Sequence, residues 1–222
     1  MRVARELFDL TKIDHPNVHR LQGVMMFKGQ HLGIVSEWAD SNLYEYLVEH
    51  PGVNRYQLCT QVASGLDYMH RRGKVHGNLK AVNVVVSSDG IAKLGHLDSS
   101  AMSEVTSLIF LSNNHSWPGT IRWAAPEMLL EEVTEKTTET DVYALGMTML
   151  EVFAGHAPYP DCRSDISVIR AVDRGTLPAR PTQLGNNHKD DKMWQLLVRC
   201  WSRRPSERPL STFIAGALEY MS

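Results

Sequence analysis

An α+β fold is predicted for this chain of 222 residues. Three observations predict it: a pair of short strand-like runs near the start, helical periodicity through most of the remaining chain, and a polar link between the two regions. The reading divides the chain into a small part at 1–37, a link at 38–41 and a larger, mostly helical part at 42–222. In the small part, Val3, Leu7 and Leu10 recur at helical spacing, and His15-Pro16-Asn17 forbids continuation of that helix. Leu21 to Phe27 is a mainly apolar run, Lys28-Gly29-Gln30 is turn sequence, and Leu32 to Trp38 is a second run, so a strand pair is expected. Met25, Met26 and Phe27 are expected to lie within one buried strand.

Asp40-Ser41-Asn42 then has the chemistry of a helix cap. A long helix is predicted from Asn54, with Leu58, Val62, Leu66 and Met69 on one face and a stop at Gly73. Asn83 to Val86 and Ile91 to Leu94 flank Ser88-Asp89-Gly90 and read as a hairpin. From 95 to 120 the sequence turns polar, with seven Ser or Thr between Ser99 and Ser116, and reads as a long loop. Thr140 to Ala154 carries Val142, Leu145, Met149 and Val152 on a broad apolar face, so a central buried helix is expected, ended by Pro158 and Pro160. Three more amphipathic helices are expected at 164–173, 190–201 and 209–220.

Composition narrows the function classes. The chain is 43% hydrophobic and 22% charged with net charge −2, which excludes a basic nucleic-acid binder and an acidic disordered tail. No apolar run has the length of a membrane span and no apolar signal core follows Met1, so a cytoplasmic protein is expected. Cys59, Cys162 and Cys200 are too scattered for a disulfide framework or a metal knuckle and read as reduced thiols.

Val75-His-Gly-Asn-Leu-Lys-Ala-Val-Asn83 falls between the long helix and the hairpin, and its spacing resembles the catalytic loop of protein kinases, H-x-D-L-K-x-x-N. Companions stand after it in the same order. Ala124-Ala-Pro-Glu127 resembles the element that closes the activation segment, preceded by Gly119-Thr-Ile-Arg-Trp123. Asp141-Val-Tyr-Ala-Leu-Gly146 resembles the buried helix after it, and Cys200 to Pro209 the closing signature. Arg5-Glu6-Leu7 and His15-Pro-Asn-Val18 resemble the regulatory helix and its turn. Lys80 and Thr120 are Ser/Thr-kinase features, while Arg122-Trp123 and Cys200-Trp201 are shared with tyrosine kinases, a mixture typical of the tyrosine-kinase-like branch. The resemblance implies a two-lobed fold: an incomplete N-lobe of one helix and two strands at 1–37, a hinge at 38–41 and a largely helical C-lobe at 42–222.

It also implies a set of groups for phosphoryl transfer from ATP: a glycine-rich loop, a strand lysine, a catalytic-loop aspartate and two metal ligands. The chain starts at the regulatory helix, so the strands carrying the first two are expected to be missing, and Glu6, matching the glutamate that pairs with the lysine, reads as a solvated carboxylate. Asn78 stands at the base position. An amide cannot accept the substrate hydroxyl's proton near neutral pH, and a positioned base is worth ~10²–10⁴ in rate. The D-F-G triplet aligns with His96-Leu97-Asp98, which puts an imidazole where magnesium needs oxygen; Asn83 is kept. Asp98 offers a rival oxygen two positions on but has turn composition, and His96 lacks the neighbouring ligands of a zinc or manganese site. Gly77 replaces the arginine that receives an activation-loop phosphate, so phosphorylation of Ser103, Thr106 or Ser107 would lack that partner; these also read simply as loop residues.

The positions whose implied role is structural are intact. Leu10, Leu21, His76 and Leu97 match an apolar spine with Asp141 at its base, and Glu127 and Arg208 match a buried ion pair. Glu37, Trp38 and Ala39 match the hinge that meets adenine through backbone groups, for which weak or no ATP binding is expected. These residues leave three functions open. The first is a pseudokinase that needs no cofactor and binds another protein through the 128–175 surface or an open sheet edge. The second is an ATP- and Mg-dependent kinase for Ser/Thr of proteins, with Lys80 and Asn83 in their usual roles and Asn78 orienting the hydroxyl. The third is a non-functional fragment with apolar surface exposed from Leu21 to Val35.

Overall fold

Alternation of apolar residues and turn chemistry produces two small antiparallel sheets, and apolar faces at helical spacing produce the helices, two of which pack on the second sheet. The computed structural model describes residues 12–27, 31–95 and 120–222. The predicted regulatory helix, with Glu6 and Leu10, and the segment holding His96, Leu97, Asp98, Ser103, Thr106 and Ser107 lie outside them.

Strands β1 (Leu21–Phe27) and β2 (His31–Ser36) pair antiparallel, with an irregularity between Leu21 and Gly23. Met25 is 50% exposed, against the expectation of a buried strand, because a two-stranded sheet buries at most one face and strand residues alternate between faces. A second sheet has the order β3 (Ser41–Asn42), β4 (Val84–Val86), β5 (Ala92–Leu94). Ser41, assigned to the hinge by sequence, pairs with Val86 and so belongs to this second sheet. The chain before β1 is tied to its edge: Leu94 N–H donates to Asn17 O at 2.9 Å and His19 N–H to Leu94 O at 2.7 Å.

Asn42 caps α1 (Leu43–Glu49) in a capping box with Glu45, which satisfies two backbone donors that a helix start leaves orphaned. Asn54 caps α2 (Arg55–Arg71), whose Leu58, Val62, Leu66 and Met69 are all buried. The predicted hairpin is β4 and β5, with Asn83 in a 3₁₀ turn (Ala81–Asn83) before it. After α3 (Pro126–Leu129) comes α4 (Thr138–Ala154), buried on nearly every face and central to the helical part. It stops at Gly155, not at Pro158 and Pro160: Gly155 takes φ 75° and its N–H bonds Glu151 O at 2.9 Å, so the left-handed cap acts before either proline is reached. Of the remaining helices, α5 (Asp165–Asp173) packs on α3 and the 3₁₀ turn Ile121–Trp123, α6 (His188–Cys200) on α4, and α7 (Ser211–Glu219) on α2. Helix α7 has no cap of its own. Asp67 of α2 accepts from Thr212 Oγ1 at 2.5 Å and Ser211 Oγ at 3.2 Å, placing a carboxylate at its N-terminus. No helix among the described residues is long and apolar enough to cross a membrane.

Candidate functional site

The loop from His76 to Asn83 crosses between α2 and β4, and its shape is held from below by two carboxylates of α4. Asp141 Oδ2 accepts the His76 N–H at 2.7 Å and meets His70 Nε2 at 3.0 Å, and its Oδ1 accepts the Gly77 N–H at 2.8 Å. Further along α4, Glu151 Oε2 accepts the Ala81 N–H and the Trp123 indole N–H, each at 3.0 Å. Sequence reasoning misses Glu151. A lone carboxylate inside an otherwise apolar stretch from Met149 to Phe153 is the signal available, since burying an ionised group is costly without partners.

His76 is fully buried and sets a tautomer. Its Nδ1 accepts the Asn78 N–H at 3.2 Å, so Nε2 carries the proton and donates to Gly95 O at 3.0 Å. Gly77 has φ 77°, a left-handed backbone that glycine adopts without strain. Asn78 Oδ1, which sequence resemblance puts at the base position, is buried and has no hydrogen-bond partner among the described residues. Asn83 turns its amide inward and donates Nδ2 to Asn78 O at 2.6 Å. A cavity of about 30 Å³ beside Gly77, Asn78 and Asp141 has room for one water and not for a ligand.

Lys80 Nζ lies 3.4 Å from Thr120 Oγ1 and over the face of Trp123 at 5.8 Å. Burial lowers its pKa, an effect that the nearby Glu151 carboxylate opposes. Burial pushes Glu151 itself up to about 7, against the bonds from Ala81 and Trp123 and the charge of Lys80. The end of the activation segment is pinned further by Arg122, which donates to the carbonyls of Pro158 at 2.9 Å, Tyr159 at 2.6 Å and Cys162 at 2.7 Å. Glu127 and Arg208 form a bidentate pair at 2.7 and 2.6 Å with both side chains buried, and Arg208 also reaches Glu139 O at 3.0 Å.

The structure therefore brings Asn78, Lys80, Asn83, His76 and Asp141 into one loop-and-helix cluster. The hinge residues stand apart from it. Glu37 pairs with Lys93 of β5 at 3.0 Å, and Trp38 is 89% exposed. Leu21 packs partly buried against the core. Among the described residues no group of three His, Cys, Asp or Glu side chains converges as a metal site. Among the described residues, Asn83 offers the loop an amide oxygen, a donor of the hard kind that magnesium takes.

Comparison with known proteins agrees with this architecture. The family model for protein tyrosine and serine/threonine kinases matches residues 1–218. Among curated relatives, serine/threonine-protein kinase STY46 of Arabidopsis thaliana is 27% identical over 211 residues, covering 93% of this chain and 34% of the relative. Ephrin type-A receptor 7 of Gallus gallus is 30% identical over 218 residues, 95% of this chain and 21% of the relative. Tyrosine-protein kinase Btk of Drosophila melanogaster is 29% identical over 208 residues, 90% of this chain and 25% of the relative. The chain spans about a third or less of the length of these relatives. With residues 1–218 of 222 matched, the chain belongs to the protein tyrosine and serine/threonine kinase family.

Proposed function

We propose that this chain is a pseudokinase of that family, acting in the cytoplasm by binding another protein rather than by transferring phosphate. The observation that carries the reading is Asn78: at the base position stands an amide whose oxygen is buried and unbonded, so no group there takes a proton from a substrate hydroxyl. The imidazole of His96 at the metal-carboxylate position supports it, because the cation that would neutralise the phosphates loses its charged ligand. What remains at the loop is a backbone held in shape by Asp141 and Glu151. Such a scaffold presents surfaces and needs no cofactor.

Titration of the chain with Mg-ATP and a radiolabelled transfer assay against Ser/Thr peptides test this. The expected result is no micromolar affinity and no transfer above background. Transfer that disappears in Asn83→Ala would overturn the reading.

A second reading has its own support. Lys80 lies within 3.4 Å of Thr120, the geometry expected of a Ser/Thr-directed site, and the relatives are named as kinases. On that reading ATP and Mg are required, Lys80 supports the transferred phosphate, and Asn78 only orients the acceptor hydroxyl. The same transfer assay separates the two.

A further inference from the structure

Among the described residues Asp67, Glu127, Asp141 and Glu151 are buried carboxylates, and they are not held alike. Asp67 meets Arg71 at 2.6 Å, Glu127 meets Arg208 at 2.6 Å, and Asp141 meets the His70 imidazole at 3.0 Å. Glu151, 3% exposed, is held instead by two neutral donors on one oxygen: the Ala81 N–H and the Trp123 indole N–H both fall on Oε2. These donors come from separate segments, the 76–83 loop and the 3₁₀ turn Ile121–Trp123, so one carboxyl joins both to α4.

The surrounding charges leave Glu151 to these two bonds. Lys80 of the loop and His156 after α4 favour its ionised form, as do the N–H bonds, but burial outweighs them. Arg55 of α2 donates to Val152 O, and Arg122 to the carbonyls of Pro158, Tyr159 and Cys162. His70 bonds Asp141, Arg208 bonds Glu127, and Glu207 pairs with Arg204. Helix α6 faces α4 at Gly146 with Trp201 and with Cys200, a thiol that burial pushes up to about 12. Arg122 anchors the backbone of the 121–123 turn, whereas the Trp123 ring, 7% exposed, reaches Glu151 through its N–H alone. The ring can therefore leave while the turn stays.

We infer that Glu151 and Trp123 form a proton-gated latch: with Glu151 neutral the indole stays docked on α4, and with Glu151 ionised the ring swings out and water reaches the carboxylate. Because Lys80 lies over the Trp123 ring and beside Thr120, the latch sets access to the loop from the activation-segment side. The direction follows from linkage. The docked carboxyl has a pKa of about 7 against an ordinary 4.5 in water, so the docked state binds the proton more tightly and is favoured as pH falls. Between these values each pH unit raises the ratio of open to docked about tenfold, and above them the ratio levels. The latch does not depend on whether the chain transfers phosphate.

The test follows hydrogen exchange of the indole N–H groups in the full chain labelled with ¹⁵N-tryptophan, with Trp123→Phe identifying the Trp123 signal. From pH 5 to 7 the Trp123 N–H is expected to exchange about ten-thousandfold faster, about a hundredfold from base catalysis and about a hundredfold from opening, and above pH 7 to follow base catalysis alone. It should also exchange at least about tenfold faster than the Trp201 N–H, which is buried against Gly146, since the latch opens without unfolding α4. Glu151→Gln, which cannot ionise, should show only the hundredfold rise. Lys80→Met keeps the carboxyl and removes the nearby cation, so it should move the levelling point to higher pH, and it serves if the Gln variant does not fold. A hundredfold rise in wild type, a ten-thousandfold rise kept in Glu151→Gln, a levelling point unmoved by Lys80→Met, or equal rates for Trp123 and Trp201 overturns the inference.

Discussion

The two sides of the 76–83 loop have had different fates. On the side facing α4, the backbone N–H groups of His76, Gly77 and Ala81 are held by Asp141 and Glu151, and Glu127–Arg208 braces the end of the activation segment. On the other side, the Asn78 oxygen is buried and has no hydrogen-bond partner among the described residues. The difference has a physical reason. Contacts made to backbone N–H groups do not depend on which side chain the loop residue carries, so the loop's shape tolerates side-chain changes on its open side.

The sharpest way to break this contrast is to attack the scaffold side. Arg208→Ala leaves Glu127 ionised and buried without a partner and is expected to cost ~3–5 kcal/mol in urea denaturation; a loss below about 1 kcal/mol would mean the pair is not an anchor. Glu151 comes next, through pH. Its pKa is raised from 4.5 to about 7, so the folded chain binds more protons than the unfolded chain between these values, and this group's stabilising contribution falls as pH rises through that window. The change is on the order of 3 kcal/mol, and Glu151→Gln should flatten that part of a denaturation-against-pH profile while wild type retains its slope. Asp141→Asn keeps the volume but weakens the acceptors for two N–H groups, with an expected loss of about 1.5–3 kcal/mol. Smallest is Asn78→Ala. Removing an oxygen that bonds nothing should change stability by less than about 1 kcal/mol, and a larger loss would show that the side chain is itself part of the scaffold.

Much of the fold is legible residue by residue. The caps Asn42 and Asn54, the buried face of Leu58, Val62, Leu66 and Met69, and the 84–94 hairpin depend on local rules, and they stand where those rules put them. Where one local rule competes with another, it misleads. Pro158 and Pro160 point to a stop for the central helix, yet Gly155 ends it earlier because a left-handed cap satisfies its last carbonyls. The apolar neighbours of Met25 suggest a buried strand, although burial depends on whether another layer covers that face. At the site, the kinase-like motifs point to Asn78, Lys80 and Asn83, but not to Glu151, whose partners lie 70 and 28 residues away. The Asp67 cap on α7, across 145 residues, is equally invisible, since nothing local to either residue specifies it.

By itself, the sequence determined the family pattern, which is read from the order of the motifs that begin at His76, Ala124, Asp141 and Cys200. Only the tertiary structure decided what each of the described positions touches. The buried oxygen of Asn78 and the raised pKa of Glu151 arise from burial and from pairs distant in the chain. Desolvation and contact are properties of packed neighbours, and neighbours are assembled only when the chain folds.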